Sequence, residues 1–211
     1  MQYLFLILLT LPSASLSDTL IPIGDFSNKS LSGWTEKEFD GITQYGFVSS
    51  NDKFVLKADS NKSASGLFKE IRIDLNKTPY LNWSWQISNT LTSINEETKE
   101  GDDYPARIYI VQKHDFLFWK TKALNYVWSS NQKIHSNWDN AYTSQAKMYA
   151  VRGKESKLNQ WYHEKRNVKE DLKKLFGEDI TYIDAVAIMT DTDNSELKVN
   201  AFYGDIFFSS N

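Results

Sequence analysis

The sequence has no cysteine, and that absence excludes three things. No disulfide can staple the fold, no thiolate can act as a nucleophile, and no zinc site built on Cys ligands can form. Histidine is nearly as scarce. His114, His135 and His163 are scattered, without the HExxH or HxH spacing that would bring two imidazoles to one metal. The 9 glycines and 4 prolines form no P-loop, no GxGxxG and no GxSxG elbow, so the common phosphate, dinucleotide and hydrolase signatures are missing. An excess of one charge is missing as well. The 24 basic and 27 acidic side chains leave a net charge of -3, which argues against nucleic acid or an anionic membrane as partner.

Long apolar runs are also absent. The run Tyr3 to Leu11 is about nine residues, half of the roughly 20 that a membrane-spanning helix needs. It sits in MQYLFLILLTLPSASLS, which carries no charged side chain and ends in small residues. This reads as a secretory signal peptide over residues 1–17, cut after Ser15 or Ser17. The expectation is a secreted or periplasmic protein, with no membrane span after the leader and one domain over residues 18–211.

Aromatic residues are abundant: Trp 7, Tyr 11 and Phe 12, or 30 in 211. Such residues favour strands, and in an exported protein they can also lie against sugar rings. Period-2 alternation recurs over residues 44–49, 53–58, 67–75, 80–88, 106–112, 121–129, 146–152, 161–166, 182–190 and 198–208. Turn-rich pieces such as SSNDK, DSNKSAS and DTDNS separate these segments. The pattern predicts an all-β fold, an antiparallel jelly-roll-like β-sandwich. One short surface helix is expected at about 167–176, where NVKEDLKKLFG opens on Asn and stops at Gly177. The longest polar loop runs from Asn89 to Asp103.

Alternation also assigns faces. Leu81, Trp83, Trp85 and Ile87 share one side of their strand and are expected in the core. Arg107, Tyr109 and Val111 oppose the apolar Ala106, Ile108 and Ile110. Leu124, Tyr126 and Trp128 share a face, as do Ala201, Tyr203, Asp205 and Phe207 in a last strand taken as continuous. If these strands are neighbours, Arg107, Tyr109, Tyr126, Trp128, Tyr203 and Asp205 line one concave ligand-binding surface.

The chemistry-bearing residues cluster in EGDDYPAR and MTDTDN. Glycoside cleavage needs two carboxyls roughly 5 to 9.5 Å apart, and Asp102, Asp103, Asp191 and Asp193 are the candidates. The alternative is that one of Asp102 and Asp103 pairs with Arg107 while the other caps the preceding loop. Asp191, Asp193 and Asn194 offer oxygen donors for calcium, although the EF-hand positions six and twelve would be Glu196 and Phe202. A polar turn bonded to its own backbone explains the same residues equally well. Asn167 suits a helix N-cap and Glu164 a solvated strand position. Arg166, where strand meets helix, is free for an anionic ligand or for Asp171.

The text GDDYPARIYIV, LNYVW, RNV before Asp171, VAIMTDTDN and AFYGDIFF resembles a family of exported bacterial proteins, the domain-of-unknown-function family numbered 3047. The resemblance implies a bacterial, periplasmic protein with one β-rich domain and carries no assigned activity. IGDFS, Ser32-Gly33-Trp34 and SASGL are distantly similar to galactose-binding-type jelly rolls. Taken together, the expected function is binding of a glycan or another envelope ligand through Asp102, Asp103, Arg107, Tyr109, Tyr126, Trp128, Arg166 and Tyr203. The alternatives are a polysaccharide hydrolase or lyase that uses the aspartates, and a structural part of an envelope complex.

Overall fold

The structure, a computed structural model, describes residues 18–211 apart from Asn51 and Asp115. The expected signal segment lies outside these residues. Fourteen strands among them form two sheets of seven. One sheet runs β1 (Leu20–Gly24), β14 (Ile206–Ser209), β6 (Tyr80–Ile87), β13 (Lys198–Tyr203), β4 (Lys53–Asn61) and β3 (Gln44–Ser50), with β11 (Tyr162–Asn167) on the other edge of β6. The second runs β2 (Trp34–Asp40), β5 (Ala64–Asp74), β12 (Tyr182–Asp191), β7 (Ala106–Gln112), β8 (Lys122–Trp128), β10 (Ala146–Arg152) and β9 (Asn137–Asp139). The two sheets stack as a jelly-roll-like β-sandwich, as the alternation predicts.

The antiparallel expectation needs correction at one pair. β10 lies parallel to β8, with Leu124 opposite Lys147 and Tyr126 opposite Tyr149. The chain leaves β8, forms β9 at the sheet edge and turns back antiparallel to it as β10, and that return makes β10 run with β8. Three strands have no signal in the alternation: β1, the charged edge strand β2 with sequence WTEKEFD, and the three-residue β9. An edge strand that is mostly exposed and charged has no buried face to select apolar residues, and its charges protect the edge from pairing with other chains.

Aromatic rings fill much of the space between the sheets. Trp83 stacks on Tyr126 at 5.4 Å, Trp85 meets Trp128 at 5.9 Å, and Trp128 meets Tyr162 edge-on at 5.4 Å. Leu81, Trp83, Trp85 and Ile87 are buried as their spacing requires, against Ile108, Ile110 and Leu124 of the facing sheet. With no disulfide, this core carries the fold, since each large buried ring contributes on the order of 2–3 kcal/mol.

The helix α1 (Val168–Phe176) forms where the sequence sets it. The Asn167 side chain accepts the Glu170 backbone N–H at 3.2 Å, and Gly177 closes the last turn in the left-handed region at φ 72. Val168 and Leu172 anchor it to the core. No helix among the described residues is long and apolar enough to cross a membrane.

Candidate functional site

The EGDDYPAR and MTDTDN segments do meet, because β7 and β12 are neighbours and Met189 stands opposite Arg107. Arg107 points to the outer side of its sheet, yet the loop before β7 covers it, leaving 3% of its surface exposed. Its guanidinium donates to Asp191 Oδ2 at 2.5 Å and to the Asp102 carbonyl at 3.0 Å, and lies 3.7 Å from the Asp102 carboxylate. The rings of Tyr104 and Tyr109 flank it at 4.3 and 5.3 Å. Burial opposes the charged guanidinium, but Asp191, Tyr109 and Asp102 outweigh it and raise the pKa of Arg107 well above its ordinary value.

Asp102 also accepts from Asn140 at 3.0 Å, so it ties the long loop to the segment after β9. Asp103 does not take the role of cap on the loop before it that the sequence reading offered. Its two oxygens accept the backbone N–H groups of Asn194 and Ser195, at 3.3 and 2.6 Å, and so cap the turn after β12. Asp103, Asp191 and Asp193 each bring one carboxylate oxygen within 4.8 Å of the others. The geometry thus groups Asp103 with Asp191 and Asp193, whereas Asn194 meets Asp103 through its backbone N–H. Burial and the neighbouring Asp103 push Asp193 up to about 6. Arg107 supplies within the protein some of the positive charge that a cation would bring.

Three expected site residues, Tyr126, Trp128 and Arg166, are elsewhere, and Tyr203 meets the cluster from the core side. Tyr126 stands opposite Ile108 and so shares the core face of β7 and β8; it and Trp128 are fully buried between the sheets. The Tyr126 hydroxyl donates to Asp171 at 2.7 Å. Arg166 grips the same carboxylate with two bonds, of 2.9 and 2.5 Å, so its fork serves the helix. Tyr203 reaches across the sandwich from the other sheet, donates to the Met189 carbonyl at 2.9 Å and accepts the Arg107 N–H at 3.3 Å. Tyr109 keeps the outward face assigned to it and is half-buried beside Phe68. Glu164 is not solvated: it faces inward, held by Arg152 at 2.6 and 2.8 Å and by the Trp85 indole at 3.0 Å.

The last strand is not continuous, and its break builds a site that alternation missed. Tyr203 stands opposite Trp85 and Phe207 opposite Asn82, so four steps along β13–β14 match three along β6. The extra residue is a β-bulge at Gly204–Asp205. It returns Ile206 and Phe208 to the core, where strict alternation from Tyr203 would have put Asp205 and Phe207. Asp205 and Phe207 turn outward instead. A Cβ at Gly204 would displace the Ser84 hydroxyl from its place, and the Gly204 N–H donates to the Ser84 carbonyl at 2.9 Å.

Over the bulge lies a surface cleft of about 670 Å³. Its apolar walls are Phe54, Trp161 and Phe207, and its floor carries the outward Asn82 and Ser84 of β6 with Asp205 and Ser27. Asp205 is fixed there, accepting the Ser27 N–H at 2.8 Å and the Ser27 hydroxyl at 2.7 Å. The outward side chains His163 and Lys165 of β11 and Lys53 of β4 complete the rim. A second cleft, of about 590 Å³, lies beside the acid cluster between the long loop and the 194–197 turn. Asn95, Thr98, Glu100 and Asn194 line it, and no aromatic ring does.

The two-sheet sandwich is a fold shared with solved structures. The family 30 carbohydrate-binding module of a cellulosomal cellulase from Clostridium thermocellum matches 92% of this chain and 98% of its own, with TM-score 0.54 and 11% identity. The family 11 module of another such cellulase from the same organism matches 92% and 95%, with TM-score 0.50 and 9% identity. No curated protein matches the sequence. Residues 32–207 match the family described as Protein of unknown function (DUF3047), and the chain belongs to that family.

Proposed function

We propose that this protein is a secreted or periplasmic glycan-binding module and that the cleft over the Gly204–Asp205 bulge is its binding site. The observation that carries the reading is the make-up of that cleft. Phe54, Trp161 and Phe207 bring aromatic surface for the apolar C–H faces of a sugar ring, with one face of Phe54 under the Lys29 ammonium, and hydroxyl, amide and carboxylate groups beside them suit its hydroxyls. Its volume of about 670 Å³ is in the range of small-ligand clefts. The floor is built on paired strands, which holds these groups rigid before a ligand arrives. The architecture shared with two carbohydrate-binding modules supports the same reading. The charge-free leader over residues 1–17 supports export.

Binding is favoured over bond cleavage. The two carboxylates of the cleft are engaged, Asp205 by Ser27 and Glu164 by Arg152 and Trp85. In the other cluster Asp191 is buried against Arg107 and Asp103 is held by the Asn194 and Ser195 N–H groups. Affinity electrophoresis in glycan-containing gels tests the proposal with Trp161→Ala, a half-buried side chain outside any strand. Loss of one stacking ring should weaken retention about tenfold while the unfolding midpoint changes little. Unchanged retention of every bound glycan by the variant contradicts the assignment of the site.

A further inference from the structure

We propose that the cleft selects an acidic glycan, one carrying carboxylate or sulfate groups; this rests on the glycan-binding reading above. The argument is charge balance. The whole chain is net -3, yet Lys53 and Lys165 line the cleft with no ion pair to either among the described residues, the Lys165 ammonium resting 4.9 Å over the Tyr80 ring, from which its long stem can swing to a ligand. The negative charges of the cleft do not cancel its cations. Glu164 is paired with Arg152, and Asp205, which keeps its charge while it accepts from Ser27, offsets one of the two lysines. Lys29 adds a further cation at the edge, 3.7 Å over the ring of Phe54.

Register fixes how these groups meet a ligand. Lys165 stands opposite Asn82, and Asn82 opposite Phe207, so an ammonium, an amide and a ring form one row across three strands. At about 4.8 Å per strand the row is about 10 Å long. The adjacent row holds His163 opposite Ser84, with the bulge beyond. A sugar laid against Phe207 therefore meets a hydrogen-bonding amide, and an anionic substituent on it or on its neighbour meets Lys165. Long-stemmed lysines on an exposed rim attract such groups from solution and add modest affinity at each contact.

The test compares polygalacturonate, dextran sulfate, and the neutral xylan and hydroxyethyl cellulose in affinity gels, using wild type, Lys53→Gln/Lys165→Gln and Trp161→Ala. The expected result is tighter retention by one or both acidic polymers than by the neutral ones. The double lysine variant should lose about tenfold on them, and added salt should weaken them alone. The two acidic arms distinguish carboxylate from sulfate. Retention of neutral glycans that equals or exceeds the acidic ones, lost in Trp161→Ala and not in the lysine variant, overturns acidic selection and leaves the glycan reading standing. Retention of no polymer, or of acidic polymers with both variants unchanged, overturns both.

Discussion

The guanidinium of Arg107 and the carboxylate of Asp191, 2.5 Å apart, are both almost wholly removed from solvent. Replacing Arg107 with Ala would leave Asp191 buried without its counter-charge, with Asp102, Asp103 and Asp193 nearby. Breaking such a pair by removing one partner costs about 3–5 kcal/mol. Arg107→Ala is accordingly expected to lower the stability found by chemical denaturation by that amount, while the folded fraction keeps its affinity for glycan. A variant of normal stability that no longer binds would move the site to this cluster. The sequence alone ranked an internal ion pair first for Arg107 and a ligand site close behind. What separated them is burial, which depends on the loop from residue 89 folding back over β7, a long-range contact that no local spacing encodes.

At the scale of elements, that loop is pinned by one buried acid. Glu96 is fully buried; it accepts the Ser129 hydroxyl and the Ser130 N–H, and its carbonyl accepts the Tyr104 hydroxyl at 3.1 Å. Burial pushes its pKa from 4.5 up to about 7, against those hydrogen bonds. A carboxyl whose pKa is higher in the folded state contributes stability that is fully present below the unfolded value and lost as pH rises through the folded one. The window here is about pH 4.5 to 7, and the full swing is about 3 kcal/mol. Hydrogen exchange of residues 94–104, corrected for intrinsic rates, should be slower at about pH 5.5 than at about pH 8. Glu96→Gln should remove the difference, and equal protection at both pH values in the wild type would contradict the account.

Elements also mark where reading the sequence succeeds. The helix was legible because Asn167 and Gly177 carry their own capping chemistry, and the faces of β6 were legible because one side is apolar throughout. Pairing across strands was not. Tyr126 and Trp128 went to the core because Tyr126 registers against Ile108, information that alternation within one strand lacks. The cleft was missed because the final strand was read without its bulge. Gly204 inside a strand pattern was the available signal, since an interior glycine there marks a bulge or a close backbone approach.

For the whole molecule, the absence of disulfides and the high aromatic content have one explanation. Rings such as Trp83, Trp85, Tyr126, Trp128 and Phe208 fill the space between the sheets and stabilise the sandwich, while Phe54, Phe207 and Trp161 line the cleft. The sandwich then acts as a rigid support with two distinct regions: a buried ion-pair network under the long loop, and an outward cleft on the opposite sheet. The most direct measurement is hydrogen–deuterium exchange across the chain with and without oligogalacturonate. The account predicts added protection in β6, β11 and residues 203–207, with the loop 89–105 unchanged. Protection confined to that loop and the 191–196 turn would contradict it.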